Sequence, residues 1–423
     1  MASFSFGAGN ARKVASIPLY ALGRVVTLLV PRRSDLWVFG CAVGIADGAL
    51  ALWEEAAVPG RRAVWLTTSD GEDRQAAARG IPTARKTTLR GFWLTARAQV
   101  LVVTHGFGDV NRYATGGAFV VQLWHGIPLK RIGLDSPETL RSSILPRSRA
   151  MRALIRAMYR GATRRIGLIP AASHLVRGRL ESAFSLADER VPVTGEPRVD
   201  VLSQGTAEER RHRARDMLSA TAGSIEGAAR VILYAPTWRD GAPDPAVPTA
   251  ADWSGLADAL EAQNAILLIR SHPLGAGEYA PSASTSRIRM LGSDLLRDVT
   301  PVLPGIDLLI TDYSSLVFDA GLNRTPVLFL APDVEEYAAR RGFYGSFEEI
   351  AAGDLASDWT EIIRRLGAAI TDGPERARMS DRSAQRSADV HAFRDGGNTA
   401  RVYRAILNAT GAATADGRMR GRR

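Results

Sequence analysis

The residues best suited to chemistry stand where apolar runs stop. Phe119-Val-Val-Gln122-Leu-Trp124 ends in His125-Gly126, and Val231-Ile-Leu-Tyr-Ala ends in Pro236-Thr237-Trp238-Arg239. Ile266-Leu-Leu-Ile-Arg270 ends in Ser271-His272-Pro273, and Leu308-Leu-Ile-Thr311 ends in Asp312-Tyr313-Ser314-Ser315. A histidine titrates near neutral pH and suits the removal of a hydroxyl proton. Arginines and helix starts suit phosphate. Two histidines, two arginines and a Ser-Ser helix start together point to a phosphate-handling site.

Each element also has a plainer reading. A histidine after a strand is often only a structural hydrogen-bonder, and His105, in Val102-Val-Thr-His-Gly, is another example. Ser314 or Ser315 can simply cap the helix through Leu316-Val-Phe-Asp-Ala-Gly-Leu. Arg239 and Arg270 can be surface ion pairs. Asp319 lies four residues after Ser315, on the same helical face, where it is either a ribose-diol acceptor or a solvated charge.

The runs that position these residues are short and continuously apolar: Leu36–Phe39, Ala63–Leu66, Val100–Thr104, Phe119–Trp124, Ile166–Ile169 and Val191–Val193. A second set is Val231–Ala235, Ile266–Arg270, Leu308–Thr311 and Val327–Leu330. Continuous apolar runs between helical stretches predict parallel strands covered on both faces. The fold class is therefore α/β, with two Rossmann-like doubly wound domains facing a central cleft. The boundary falls near Gly195-Glu-Pro-Arg-Val-Asp-Val-Leu. We expect an interfacial N-terminal segment over 1–33, an acceptor- and membrane-binding domain over 34–200 and a donor-binding domain over 201–390. A C-terminal helix over 391–410 and a disordered basic tail over 411–423 follow.

Composition narrows the setting. The chain has 423 residues and 46% hydrophobic content, ample for two domains. Cys41 is the only cysteine, which excludes an intrachain disulfide and fits a reducing compartment. Residues 1–200 hold 28 Lys/Arg against 15 Asp/Glu, a net +13; the remaining 26 and 29 give −3. The basic half suggests a polyanionic partner. Pro18 and Arg24 interrupt the N-terminal apolar stretch, so no cleaved signal peptide is expected.

Residues 141–165 hold eight arginines and no acid. Arg149, Arg152, Arg156 and Arg160 line one helical face; Met151, Leu154, Ile155, Met158 and Tyr159 line the opposite one. An amphipathic helix packed on its own domain would mix acids into its polar face. An all-arginine face fits anionic lipid better. No nucleic-acid module accompanies it, so no nucleic-acid partner is expected.

Gln122-Leu-Trp-His-Gly-Ile-Pro-Leu-Lys-Arg-Ile-Gly resembles the Q-x-W-H-G-T-P-L-K-x-x-G signature of the CDP-glycerol glycerophosphotransferases, which build teichoic acid. Further blocks agree in order: Thr194-Gly-Glu-Pro-Arg-Val-Asp, Tyr234-Ala-Pro-Thr-Trp-Arg, Arg270-Ser-His-Pro and Ile310-Thr-Asp-Tyr-Ser-Ser-Leu-Val-Phe-Asp. Asp333-Val-Glu-Glu-Tyr and Arg341-Gly-Phe-Tyr look like the family's ending. Ile127 replaces the usual Thr, and Glu196 stands where Asn is common.

The resemblance implies a GT-B architecture and monotopic association with the cytoplasmic face of the membrane. It implies a CDP-polyol donor and a polyprenyl-diphosphate-linked acceptor. It makes His125 the candidate base and His272 a phosphate-binding or acid partner. Thr237, Arg239, Arg270, Thr311, Asp312, Ser314, Ser315 and Asp319 form the donor side; Gln122, Trp124, Gly126, Lys130 and Arg131 form the acceptor side. No Asp-rich metal motif is evident, so no tightly bound metal is expected, and any Mg2+ would ride on the donor diphosphate. The expected reaction moves a polyol phosphate to an acceptor hydroxyl and releases CMP. Alternatives are a GT-B nucleotide-sugar glycosyltransferase and a non-catalytic lipid-linked-glycan binding protein.

Overall fold

The structure is a computed structural model that describes residues 17–141, 148–225, 230–239, 243–271, 279 and 285–411. The chain folds as two compact units. The first holds the described residues up to His125, then Ile132–Asp200 and the described residues from Asp395 on; the second holds Gly126–Arg131 and Val201–Arg394.

In the first unit β1 (Arg33–Gly40), β2 (Arg62–Thr67), β3 (Thr83–Arg85), β4 (Ala98–Val103), β5 (Phe119–Gln122) and β6 (Ile166–Leu168) form one sheet in the order β3-β2-β1-β4-β5-β6. Every pairing is parallel. Its helices are α1 (Ile17–Leu29), α2 (Asp47–Ala56), α3 (Asp70–Ala78), α4 (Leu89–Arg97), α5 (Arg149–Thr163) and α6 (His174–Phe184). Side-chain caps set several starts: Ser69, Thr88, Ser148 and Ser173 each accept a backbone N–H from the first turn. Trp37, Phe39 and Trp65 stack in the core on one sheet face, and Leu36, Val38 and Leu101 fill the other.

The second unit runs α7 (Ala207–Ala222), β7 (Arg230–Ala235), α8 (Ala250–Ala262), β8 (Ala265–Ile269), β9 (Ile288–Met290), β10 (Leu308–Thr311), α9 (Leu316–Leu322), β11 (Val327–Leu330), α10 (Val334–Arg340), α11 (Phe347–Ala351), β12 (Leu355–Ala356), α12 (Trp359–Ile370) and α13 (Pro374–Val390). Its parallel sheet has the order β12-β11-β10-β7-β8-β9. Counted from its own first strand, this is again the 3-2-1-4-5-6 order of a dinucleotide-binding fold. Beneath the sheet, buried Asp307 accepts the Val231 N–H and bonds Arg211 and Arg215, which fixes the start of β7. Burial works against the ionised carboxyl, but these bonds and charges outweigh it and lower its pKa.

After Val390 the chain returns to the first unit as α14 (Asn398–Thr410), packed on α2. Val402, Tyr403, Ile406 and Leu407 complete the core around Trp37. Asp200 caps this helix, accepting from Asn398 N, Thr399 N and Thr399 Oγ1. The expected domain limits therefore do not describe the units fully: the last helix belongs with the first one, and residues 126–131 belong with the second. That short segment runs antiparallel to 342–344, with Arg131 N donating to Gly342 O and Tyr344 N to Leu129 O.

The continuous apolar runs are strands, with one exception. Val191–Val193 makes only an isolated bridge to Ala171. The edge strands β3, β9 and β12 carried no signal, being two or three residues long. The expected tail from 412 lies outside the described residues, as do residues 1–16 of the expected interfacial segment.

Candidate active site

In both sheets the first and fourth strands diverge to opposite sides, and their carboxyl ends open a crevice where such folds bind ligands. In the first unit that point lies between β1 and β4. Around it stand Cys41, Thr104, His105 and, one strand further, His125.

Local geometry shows that this corner is built with strain. Trp124 has φ +64°, a left-handed conformation rare for a bulky residue and costing on the order of 1–3 kcal/mol. Gly126, at φ +142°, adopts a backbone only glycine takes readily. The two reversals bracket His125 and turn its ring. Trp124 lies over that ring, centroids 4.4 Å apart, and is itself braced edge-on by Phe184 at 5.1 Å. His105 also stacks on it, at 4.4 Å with the planes only 8° apart. Gln122 is buried and donates to the Thr104 carbonyl at 2.7 Å, tying β5 to the end of β4.

His125 Nδ1 is buried and has no hydrogen-bond partner. Burial first, then the neighbouring His105, push the His125 pKa down to about 3; a bond to the Thr104 backbone offsets this in part. The imidazole is therefore neutral at physiological pH. His105 is likewise pushed down by burial, while Asp109 pulls it up. Asp109 is held back toward the strand end, accepting from Thr104 N at 2.9 Å and His105 N at 2.7 Å. Nearby, Arg198 and Glu196 form a buried pair at 3.0 Å, so the acid standing in place of Asn answers a guanidinium.

The second unit's corner, between β7 and β10, is tied together by charge. Asp312 accepts the Thr237 N–H with both oxygens, at 2.9 and 3.1 Å, and bonds Arg239 Nη1 at 2.7 Å. Arg239 is 5% exposed and grips Asp333 bidentately at 2.9 and 3.0 Å. It lies over the rings of Tyr313 and Tyr337, at 4.9 and 5.0 Å. Tyr313 also donates to Asp333 at 2.8 Å. Burial alone would lower the Arg239 pKa; Asp333 and Asp312 outweigh it and raise it.

These contacts give several expected site residues partners within the protein. Arg239 is held by two carboxylates, Asp312 and Asp333. Arg270 donates to the carbonyls of Leu291, Leu296 and Arg297 and so closes the loop after β9. Thr311 donates to Ala235 O at 2.6 Å, joining the two diverging strands. Asp319 is 2% exposed and faces buried His391 at 3.7 Å, so it is not displayed on the helix surface. Lys130 and Arg131 belong to the second unit, where Arg131 Nε donates to Phe343 O. Ser314 accepts from Leu316 N, while Ser315 makes no side-chain cap. Both serines remain partly exposed, and Thr237 Oγ1 and Ser271 Oγ are buried without partners. His272 lies outside the described residues.

The basic helix divides its faces differently from the expected pattern. Arg149, Arg152, Arg156 and Arg160 are exposed, and so are Leu154 and Met158. Ile155 is 5% exposed and packs inward, which removes it from any membrane-facing set; Met151 is half-buried. The expected interfacial segment over 1–33 contains α1, whose Leu19, Leu22, Val25, Leu28 and Leu29 are all exposed. That helix packs on α4, which exposes Leu89 and Trp93. No described helix is long and apolar enough to cross a membrane.

Two six-stranded parallel sheets of this order, each with its polar corner, define a two-domain α/β protein of GT-B-like fold. The chain belongs to the CDP-glycerol:poly(glycerophosphate) glycerophosphotransferase family, whose sequence profile matches residues 24–408. It is 33% identical over 187 residues to the teichoic acid ribitol-phosphate polymerase TarK of Staphylococcus aureus (strain NCTC 8325 / PS 47), covering 44% of this chain and 35% of that protein. It is 26% identical over 304 residues to a teichoic acid glycerol-phosphate transferase of the same organism, covering 68% and 71%. The match spans about a third of the two ribitol-phosphate polymerases TarK and TarL. Among solved structures, the wall teichoic acid polymerase TagF superposes with a TM-score of 0.74 at 20% identity, over 96% of this chain and 97% of that one.

Proposed function

We propose that this protein transfers a polyol phosphate, glycerol phosphate in the first instance, from a CDP-activated donor to a hydroxyl of a polyprenyl-linked acceptor. The observation that carries this is the neutral, stacked His125 with its unmatched ring nitrogen at the first unit's strand ends. In the proposed reaction the acceptor oxygen attacks the β-phosphorus of the CDP-polyol. A P–O bond forms, the P–O bond to CMP breaks, and His125 takes the hydroxyl proton. The second unit binds the donor. With Arg239 and Arg270 committed to protein acceptors, the groups left for the diphosphate are the hydroxyls of Thr237, Ser271, Ser314 and Ser315. His272 is the further candidate. Any Mg2+ travels with the donor, and turnover that survives EDTA would rule out even that role.

The protein works on this reading at the cytoplasmic face of the membrane, where its acceptor is anchored. The exposed arginines of α5, together with the apolar residues of α1, suit an anionic lipid surface. The test is to supply CDP-glycerol, CDP-ribitol and a UDP-sugar separately with a synthetic lipid acceptor. CMP release with a CDP-polyol is expected. Release only from the UDP-sugar, or none from any donor, would sink the proposal.

A further inference from the structure

We propose that His105 is a positioning residue for the His125 base: the near-coplanar stack between them, with Trp124 also packed against the ring, holds the working imidazole in one plane. The inference rests on the reading of His125 given above, and adds a residue that no sequence block singled out.

Three observations carry it. First, the His105–His125 planes differ by 8° at 4.4 Å, while Trp124 packs against the same ring at 4.4 Å and 34°. A ring packed against two others has little freedom to tilt out of its plane. Second, His105 is itself anchored. Its Nδ1 lies 2.7 Å from Thr104 Oγ1, and Asp109 Oδ2 lies 3.3 Å from that same hydroxyl while accepting the His105 N–H. The Thr104 hydroxyl, which also lies 3.2 Å from Cys41 Sγ, thus ties one ring nitrogen of His105 to the end of β4 and limits the ring's rotation. Third, no carboxylate orients His125: the ring bonds the Thr104 backbone, and its Nδ1 has no partner, unlike a catalytic imidazole oriented by a bonded carboxylate. Stacking shares the orienting task with that backbone bond. It leaves Nδ1 uncommitted, as a base that must take and release a proton requires.

The arrangement makes a shape requirement, not a charge requirement. A flat ring at 105 should serve; a side chain of similar bulk that is not flat should not. In the full-length protein, His105→Leu is expected to lower kcat with CDP-glycerol by roughly a hundredfold, the scale of an ångström-level misplacement, with little change in donor KM. His105→Phe is expected to recover most of that loss. Equal loss in the Phe and Leu variants would show that the imidazole itself is needed, and would overturn the positioning role. So would a His105→Leu enzyme with full kcat.

An activity-independent measurement separates this from the wider reading. The His125 ring protons, observed by NMR with labelled histidine, should carry the ring-current shift of a stacked imidazole in the wild type and the Phe variant. They should lose part of it in the Leu variant. Unchanged His125 shifts in His105→Leu would sink the stack as the orienting device. If His125→Ala keeps full turnover while the shifts behave as expected, the base assignment falls and the stack stands.

Discussion

The two strand-end corners share one topology and differ in how their polar groups are satisfied. In the second unit, Arg239, Asp312, Asp333, Tyr313 and the Thr237 N–H form a charged network, beside which the hydroxyls of Thr237 and Ser271 are buried without partners. In the first, His125 sits under a strained Trp124 with a buried nitrogen unmatched. A charged network resists change and holds a shape. An unmatched group is what a site retains when its partner is a substrate. The same sheet order thus builds an ion-paired corner in one unit and, in the other, the corner to which we assign the base.

The comparison can be broken most sharply at His125. Changing it to Ala should lower turnover by about 10²–10⁴-fold, the usual worth of a general base, with the melting profile retained. Near-normal turnover would remove the reactive corner altogether. Arg239→Ala should do the opposite. It leaves buried Asp312 and half-buried Asp333 without their cation and should destabilise the second unit by about 3–5 kcal/mol in denaturant unfolding. A change well under 1 kcal/mol would show that the network is not a frame.

A smaller effect is expected from replacing Arg149, Arg152, Arg156 and Arg160 together with Gln. Binding to anionic vesicles should fall several-fold per charge removed at low salt, and less at high salt. Unchanged co-sedimentation would dissociate α5 from the membrane.

The pH dependence sharpens the contrast further. Because the His125 pKa is depressed to about 3, the acid limb of kcat/KM should lie well below the ordinary histidine value near 6.5. A limb at 6–7 would mean that the stack opens in solution. The sign for stability follows from the same shift. The unfolded chain binds a proton below about pH 6.5 that the folded chain refuses until about pH 3. Stability is therefore fully present above about 6.5 and declines as pH falls toward 3. His125→Phe should flatten that part of the curve.

Much of the frame was legible in the sequence, because parallel strands buried on both faces must be continuously apolar. Leu36–Phe39 and Leu308–Thr311 needed only that signal. The edge strands β3 and β12 did not announce themselves; edges need little apolar surface, and pairing with a finished sheet suffices. The position of His125 at a strand mouth could also be read directly. Its orientation could not, since it depends on His105, twenty residues earlier in the chain and brought beside it by the β4–β5 pairing. The arginines misled for a related reason. Sequence shows a cation at a strand end, whereas Arg239's two carboxylates arrive from Asp312 and Asp333, far along the chain. In α5 the period was clear, but the direction of Ile155 was settled by tertiary packing.

Asp200 and the helix it caps have a consequence for how the molecule is made. The core around Trp37 lacks Val402, Tyr403, Ile406 and Leu407 until the ribosome has passed the whole second unit. Residues 126–131, in turn, leave the ribosome long before the 342–344 segment they pair with. Neither unit is a contiguous stretch of chain, so neither can finish folding vectorially, and unfinished apolar surface must wait during synthesis. A fragment cut at residue 200 would be an expression hazard, not a domain: it would carry Asp200's carboxylate with no helix to cap and an open groove where α14 belongs.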